Sequence, residues 1–259
     1  MRDLFGTEKP VIAMLHARAL PGRPRHDAAP GLKPVTEALA ADLDALQRAG
    51  VDGLLFCNEA DLPYQLQAGP EIAAAMAALV GGLRSRIGVP FGIDIVWDPV
   101  ASLAVARATG ASFVREVFTG VYESDLGVMQ PSSENPDTIS IFANITPEFA
   151  SPLGRRTTEQ RARGAVCLGV DAVLVTGPIT GLPTDLAELA AVKAAVPGTP
   201  VLASTGVTAD TVRQTLEIAD GVIVGTHLKY DGVTWNPVDP ARAHTFMDRA
   251  KRAREEMAV

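Results

Sequence analysis

The sequence predicts one (β/α)8 TIM barrel domain over residues 1–259, and three observations carry that prediction. Eight short apolar runs recur along the chain, separated for the most part by Ala-rich stretches with helical periodicity. The length of 259 residues suits a single barrel of this kind, about 250 residues. The last two runs also end alike. Ala203-Ser204-Thr205-Gly206-Val207-Thr208 and Asp220-Gly221-Val222-Ile223-Val224-Gly225-Thr226 each stop at a glycine with hydroxyl residues. Loops after strands 7 and 8 of such a barrel offer backbone N–H groups to a phosphate, and glycine lets the anion approach closely.

Taken in order, the strand runs are Val11–Leu15, Gly53–Cys57, Phe91–Val96, Ser112–Val117, Thr138–Ala143, Ala172–Val175, Val201–Ser204 and Gly221–Val224. They are short and almost wholly apolar, as parallel strands buried on both faces must be. Helical patterns fall at Val35–Ala49, Glu71–Arg86, Val100–Thr109, Thr158–Leu168, Thr184–Ala195 and Ala209–Ala219, and a last one at Pro240–Met257 closes the chain. Gly50, Gly110 and Gly169 each follow a helical run just before the next strand, the usual left-handed stop signal. An open doubly wound sheet is the competing arrangement, but no GxGxxG follows the first strand. Between strands 4 and 5, Thr119–Asp137 has no helical period, so helix 4 is expected to be shortened or missing. Such a gap would expose apolar strand surface, to be covered by a loop or a second subunit, and argues for a homo-oligomer.

Composition narrows the function classes. The chain is 47% hydrophobic and 20% charged with a net charge of −7, and no run of Lys or Arg is dense enough to follow a nucleic-acid backbone. Cys57 and Cys167 lie in apolar runs without CxxC or Cys/His spacing, which points to a reduced, cytoplasmic setting and away from structural zinc. No secretory h-region opens the chain, and no apolar run reaches the roughly 20 residues of a membrane span.

Strand alternation then sorts the polar residues. His16 shares a face with Ile12 and Met14, Asp94 with Val96, and Ser140 with Asn144, while Thr176 ends strand 6. A polar group in an apolar strand needs partners, so these are expected to face the lumen near its C-terminal mouth, where barrel active sites lie. Arg115 and Glu116 point opposite ways, and only one can face inward. His16 is the candidate acid or base, with a hydrogen-bonded structural histidine as the other reading. Asp94 is the lumenal carboxylate, either free for chemistry or paired with Arg115 on the neighbouring strand.

Asn58, Glu59 and Asp61 follow strand 2 and suit substrate hydroxyls or a divalent cation, or else turn capping. His227 with His16 is a weak metal pair. None of the strand runs contains a lysine, which disfavours Schiff-base chemistry, and Lys229 is expected to contact phosphate. Trp97 and Trp235 sit at loop positions, to stack on a ring or to anchor the rim.

The run Val11-Ile12-Ala13-Met14-Leu15-His16 with Leu20-Pro21-Gly22 resembles the opening of the BtpA/SgcQ family. Gly225-Thr226-His227-Leu228-Lys229-Tyr230-Asp231-Gly232-Val233-Thr234-Trp235-Asn236-Pro237-Val238-Asp239 resembles its closing signature. Gly50-Val51-Asp52-Gly53, Asn58, Asp61-Leu62-Pro63-Tyr64, Phe113-Val114-Arg115 and Ser124-Asp125-Leu126-Gly127 fit as well. The resemblance implies a barrel similar to the ribulose-phosphate-binding barrels. It implies a link either to photosystem I biogenesis or to sugar and nucleoside metabolism, without a fixed reaction. Two departures stand out against the family pattern. Asn144–Gly154 lacks the His-Lys-His-like segment usual after strand 5, and Cys57 stands where a glutamate is usual.

Together these readings predict an isomerase or lyase acting on a small phosphorylated metabolite, a sugar phosphate or nucleotide-like compound. His16, Asp94, Arg115 and Asn144 would carry the chemistry. Ser204, Thr205, Gly206, Gly225, Thr226 and Lys229 would hold the phosphate, and Asn58, Glu59, Thr176, Trp235 and Asn236 the rest of the substrate. No motif specifies a cofactor; a divalent metal or FMN is compatible with the same loops. An FMN-dependent oxidoreductase and a non-catalytic assembly protein are the competing classes.

Overall fold

A computed structural model describes residues 1–130 and 138–258. Its core is a closed barrel of eight parallel strands, β1 (Val11–His16), β2 (Gly53–Cys57), β3 (Phe91–Asp94), β4 (Phe113–Glu116), β5 (Ser140–Asn144), β6 (Ala172–Val175), β7 (Val201–Ala203) and β8 (Val222–Val224). Each strand pairs with its neighbours in chain order, and β8 closes onto β1 in the register Val11–Val222, Ile12–Ile223 and Ala13–Val224. All eight expected strands are present. So are the seven expected helices, at Lys33–Ala49, Pro70–Leu83, Pro99–Thr109, Thr158–Cys167, Leu186–Ala195, Val212–Ile218 and Pro240–Met257.

The two faces of each strand enter different cores. Val11, Ala13 and Leu15 of β1 pack outward with Leu39, Leu43 and Leu46 of the helix Lys33–Ala49. Ile12 and Met14 point inward with Leu55, Phe113, Phe142, Leu174, Leu202 and Ile223. This inner cluster is plugged at its N-terminal end by Phe5, from a four-residue helix Arg2–Phe5 that the sequence pattern does not signal. The Phe5 ring meets Phe113 edge-on at 5.5 Å, and Phe113 stacks on Phe142 at 4.7 Å. Gly53 and Gly92 make room for the plug. A Cβ on Gly53 would lie 2.6 Å from the Phe5 ring, and one on Gly92 would lie 2.4 Å from Phe113.

The β4–β5 connection is the irregular part. Among the described residues no helix follows β4, as expected; residues 131–137 of that stretch lie outside the described residues. In its place Tyr122–Ser124 and Gly127–Met129 form a hairpin, and Ala150–Pro152 from the loop after β5 adds a third antiparallel strand. Tyr122 anchors this small sheet, with its ring buried and its hydroxyl donating to the Ile145 carbonyl at 3.0 Å. The outward strand residues Val114, Ile141 and Ala143 stay buried, while Val121, Leu126, Val128 and Leu153 of this connection and its neighbouring loop are exposed. Among the described residues no helix is long and apolar enough to cross a membrane.

Candidate functional site

At the C-terminal mouth a cavity of about 260 Å³ opens between the ends of β6, β7, β8 and β1. Its lining has two chemical poles. The loop pole is made by Thr205–Thr208, Gly225–His227 and Arg242. The lumen pole is made by His16, Glu59, Arg115 and Glu148.

Glycines shape the loop pole. Gly206 has φ +64°, and a Cβ there would lie 2.3 Å from the Pro183 backbone, so no other residue fits without moving the chain. A Cβ on Gly225 would come within 3.1 Å of His16 Cε1, and its absence lets the ring stand against the β8 loop. Among the described residues, the backbone N–H groups of Gly206, Val207, Thr226 and His227 donate to no protein acceptor. The Arg242 guanidinium is fixed beside them by donating from Nε to the His227 carbonyl at 2.7 Å. His227 is itself tied down, its Nε2 accepting from the Ala209 N–H at 3.1 Å.

The lumen pole is a buried charge cluster. Arg115 faces inward, as only one of Arg115 and Glu116 could. Its guanidinium lies 3.4 Å from Asp94 Oδ2 and 3.6 Å from Glu148 Oε2. Asp94 is therefore paired with Arg115, the second of its two sequence readings. Glu116 nevertheless reaches the rim, where its carboxyl accepts from the Trp97 and Val117 N–H groups. Burial pushes Glu116 well above the usual carboxylate range, with Asp94 adding to the push. Asp94 is raised by burial against the pull of Arg115.

Four carboxyls thus crowd around one guanidinium, and like charges at this spacing do not all ionise together. Glu59 is pushed up to about 7 by burial first and then by Glu148 and Asp94. Its oxygens accept from Tyr64 Oη at 3.2 Å and Cys57 Sγ at 3.5 Å. Cys57 therefore sits directly against the carboxyl it precedes. His16 is lowered to about 3 by burial and then by Lys229, which leaves it a neutral ring at physiological pH.

Three buried polar atoms of residues that line this cavity, His16 Nδ1, Ser204 Oγ and Glu148 Oε1, have no hydrogen-bond partner among the described residues. Leaving such groups unpaired costs about 1–3 kcal/mol each, and each such group in a native fold calls for an explanation.

The structure brings together His16, Glu59, Arg115, Ser204, Thr205, Gly206, Gly225 and Thr226 on the main cavity. Asp94 and Asn144 join Glu59, Arg115 and Glu148 around a smaller recess of about 40 Å³ beside it. Others go elsewhere. Lys229 does not line the phosphate loops; it is buried in an ion pair with Asp42 at 3.0 Å, and Asp42 also accepts from the Val238 N–H. Asn58 is committed at both ends, donating to Asp61 at 2.9 Å and accepting from the Val96 N–H at 2.8 Å, so it pins loops together. Thr176 bonds Thr146 and lines a separate cavity outside the lumen. Trp235 and Asn236 line a neighbouring cavity that shares His16.

Glu148, Thr180 and Arg242 enter the site without having been singled out in the sequence. Glu148 lies in the segment after β5 marked by its lack of His and Lys, and is the charged group that segment contributes. Among the described residues no three His, Cys, Asp or Glu side chains converge in a metal-holding group.

The barrel and its mouth can be set beside known proteins. The (S)-3-O-geranylgeranylglyceryl phosphate synthase of Thermoplasma acidophilum superposes with a TM-score of 0.62 at 15% identity, covering 97% of this chain and 96% of that one. That likeness is one of fold. In sequence, the sgc region protein SgcQ of Escherichia coli K12 is 44% identical, over 98% of each chain. The photosystem I biogenesis protein BtpA of Synechocystis is 31% identical over 94% of this chain and 88% of its own length. The BtpA family pattern matches residues 7–252, and the chain belongs to the BtpA family.

Proposed function

We propose that this chain is an enzyme, an isomerase or lyase, that moves a proton on a small phosphorylated metabolite such as a sugar phosphate or nucleotide-like compound. The observation that carries the proposal is that three residues lining one cavity between two glycine loops, His16, Ser204 and Glu148, each hold a buried, unpartnered polar atom. A ligand with oxygens at both ends would satisfy all three.

The phosphate belongs at the loop pole, against the N–H groups of Gly206, Val207, Thr226 and His227, with Ser204 Oγ and the Arg242 guanidinium completing its shell. The synthase that shares the fold takes sn-glycerol-1-phosphate as its substrate, which supports a phosphorylated ligand here.

The reacting carbon then lies toward the lumen pole. Glu59, with a pKa near 7, is suited to take and return a proton at neutral pH. Arg115 would hold the oxygen on which negative charge develops, and Glu148 would accept a bond from a substrate hydroxyl. His16, neutral and unpartnered at Nδ1, would bond a second hydroxyl. The proton step therefore moves from His16 and Asp94 to Glu59, because a ring whose pKa is about 3 holds a proton too weakly. Asp94 becomes a positioning residue for Arg115. Well-placed acid–base catalysis of this sort contributes roughly 10²–10⁴-fold.

Thermal-shift screening against phosphorylated sugars and nucleotides tests the proposal. A ligand at 100 times its Kd adds roughly 2.7 kcal/mol to stability, and the shift should be lost in Arg242→Ala. No shift from any phosphorylated compound would sink the enzyme reading and favour an assembly role like that named for the Synechocystis relative.

A further inference from the structure

A second cavity of about 230 Å³ lies beside the first, between the ends of β8 and β1, and His16 lines both. Its walls differ in kind. Ala17, Ala38, Ala41 and Ala60 give it a small-residue, apolar interior, and Trp235 stands at its edge. The indole is 53% exposed, unusual for the largest apolar side chain of a folded chain. Of the charged groups on its wall, Lys229 and Asp42 neutralise each other, and the third, Arg18, is exposed. The lining as a whole is mostly apolar. It suits a flat, weakly polar group that can lie against the indole.

Size supports the same reading. Small-molecule sites run from about 300 to 1,000 Å³. Each lobe falls short of that range alone, at about 260 and 230 Å³, and their volumes taken together fall within it.

We propose that the two cavities form one two-lobed site for a phosphorylated sugar bearing a planar ring, with the phosphate at the β7 and β8 loops, the ring against Trp235, and the linking sugar at His16. This rests on the phosphate reading above and narrows its substrate class from any sugar phosphate to a ring-bearing one. His16 Nδ1, buried at the junction without a partner, would accept a hydroxyl of the linking sugar.

Isothermal titration with inorganic phosphate, ribose 5-phosphate and the four nucleoside monophosphates AMP, GMP, CMP and UMP tests this. At least one nucleotide should bind about tenfold more tightly than ribose 5-phosphate, the scale of one base stacked on an aromatic ring. Trp235→Ala should remove that advantage while leaving ribose 5-phosphate affinity unchanged. Ala38→Phe, which fills the second lobe, should do the same. Nucleotides that bind no more tightly than ribose 5-phosphate would overturn the two-lobed site and leave the phosphate reading standing. So would a Trp235→Ala loss shared equally by both ligand types. Binding by neither ribose 5-phosphate nor any nucleotide would overturn both.

Discussion

At the N-terminal end of the lumen Phe5, Phe113 and Phe142 lie ring against ring over Gly53 and Gly92. Two residues further along the same strand β4, on the same face as Phe113, stands Arg115 among Asp94, Glu148 and Glu59. One end is closed by apolar contact; the other is held open by charges that need one another and, at three atoms, still lack a partner. The aromatic end contributes stability through apolar contact. The charged end is costly to fold, since buried carboxyls are kept only by pairing, hydrogen bonds or protonation. The division of labour runs along single strands, which is why alternating positions of one strand serve the fold while a residue near its C-terminal end serves the site.

The largest effect is expected from emptying the closed end. Phe113→Ala should lower the unfolding free energy by about 4 kcal/mol at every pH, read by urea denaturation, while ligand affinity of the folded protein stays the same. At the open end Arg115→Met should cost about 3 kcal/mol near neutral pH by stranding Asp94 and Glu148. Here the cost should depend on pH. Without the guanidinium the two carboxyls bind protons more tightly when folded, so the deficit shrinks as pH falls and grows as it rises.

Glu59 sharpens the contrast further. Its folded pKa, about 7, lies above the ordinary glutamate value. Between that ordinary range and about 7 the folded state holds more protons than the unfolded one, so wild-type stability declines as pH rises through this window. Glu59→Gln should flatten that decline, leave the variant more stable than wild type on the alkaline side, and abolish turnover. A denaturation series across the window checks the first two, and a proton-exchange assay on a bound sugar phosphate checks the third. The smallest effect is expected from Ser204→Ala, whose hydroxyl has no partner to lose. Stability should change by less than about 0.5 kcal/mol, while a phosphorylated ligand should bind about fivefold more weakly.

The barrel was legible because eight apolar runs alternate with helical stretches and no GxGxxG follows the first, a pattern that favours a closed parallel sheet over an open one. Alternation within those runs also sorted inward from outward side chains. It put His16, Asp94 and Asn144 at the mouth and left Arg115 and Glu116 to compete for one lumenal place. What escaped was everything set by short elements or by partners distant in sequence. The Arg2–Phe5 helix is too short to show a period, and the three-residue strands of the hairpin sheet carry no alternation. Lys229 looked like a phosphate ligand from its place after Thr226, but a turn of 3-10 helix carries it to Asp42 on the Lys33–Ala49 helix. A signal for that pair was present, since Asp42 interrupts the buried face formed by Leu39, Leu43 and Leu46. Glu148 went unnoticed because a loop carboxylate has no period, and only its approach to Arg115 gives it meaning.

The most direct test of the account is a crystal structure grown with ribose 5-phosphate. The phosphate is predicted against the N–H groups of Gly206, Val207, Thr226 and His227, with Ser204 Oγ and the Arg242 guanidinium in contact and the sugar directed toward His16 and Glu59. An empty mouth at saturating ligand, or a phosphate bound anywhere else on the chain, would contradict it.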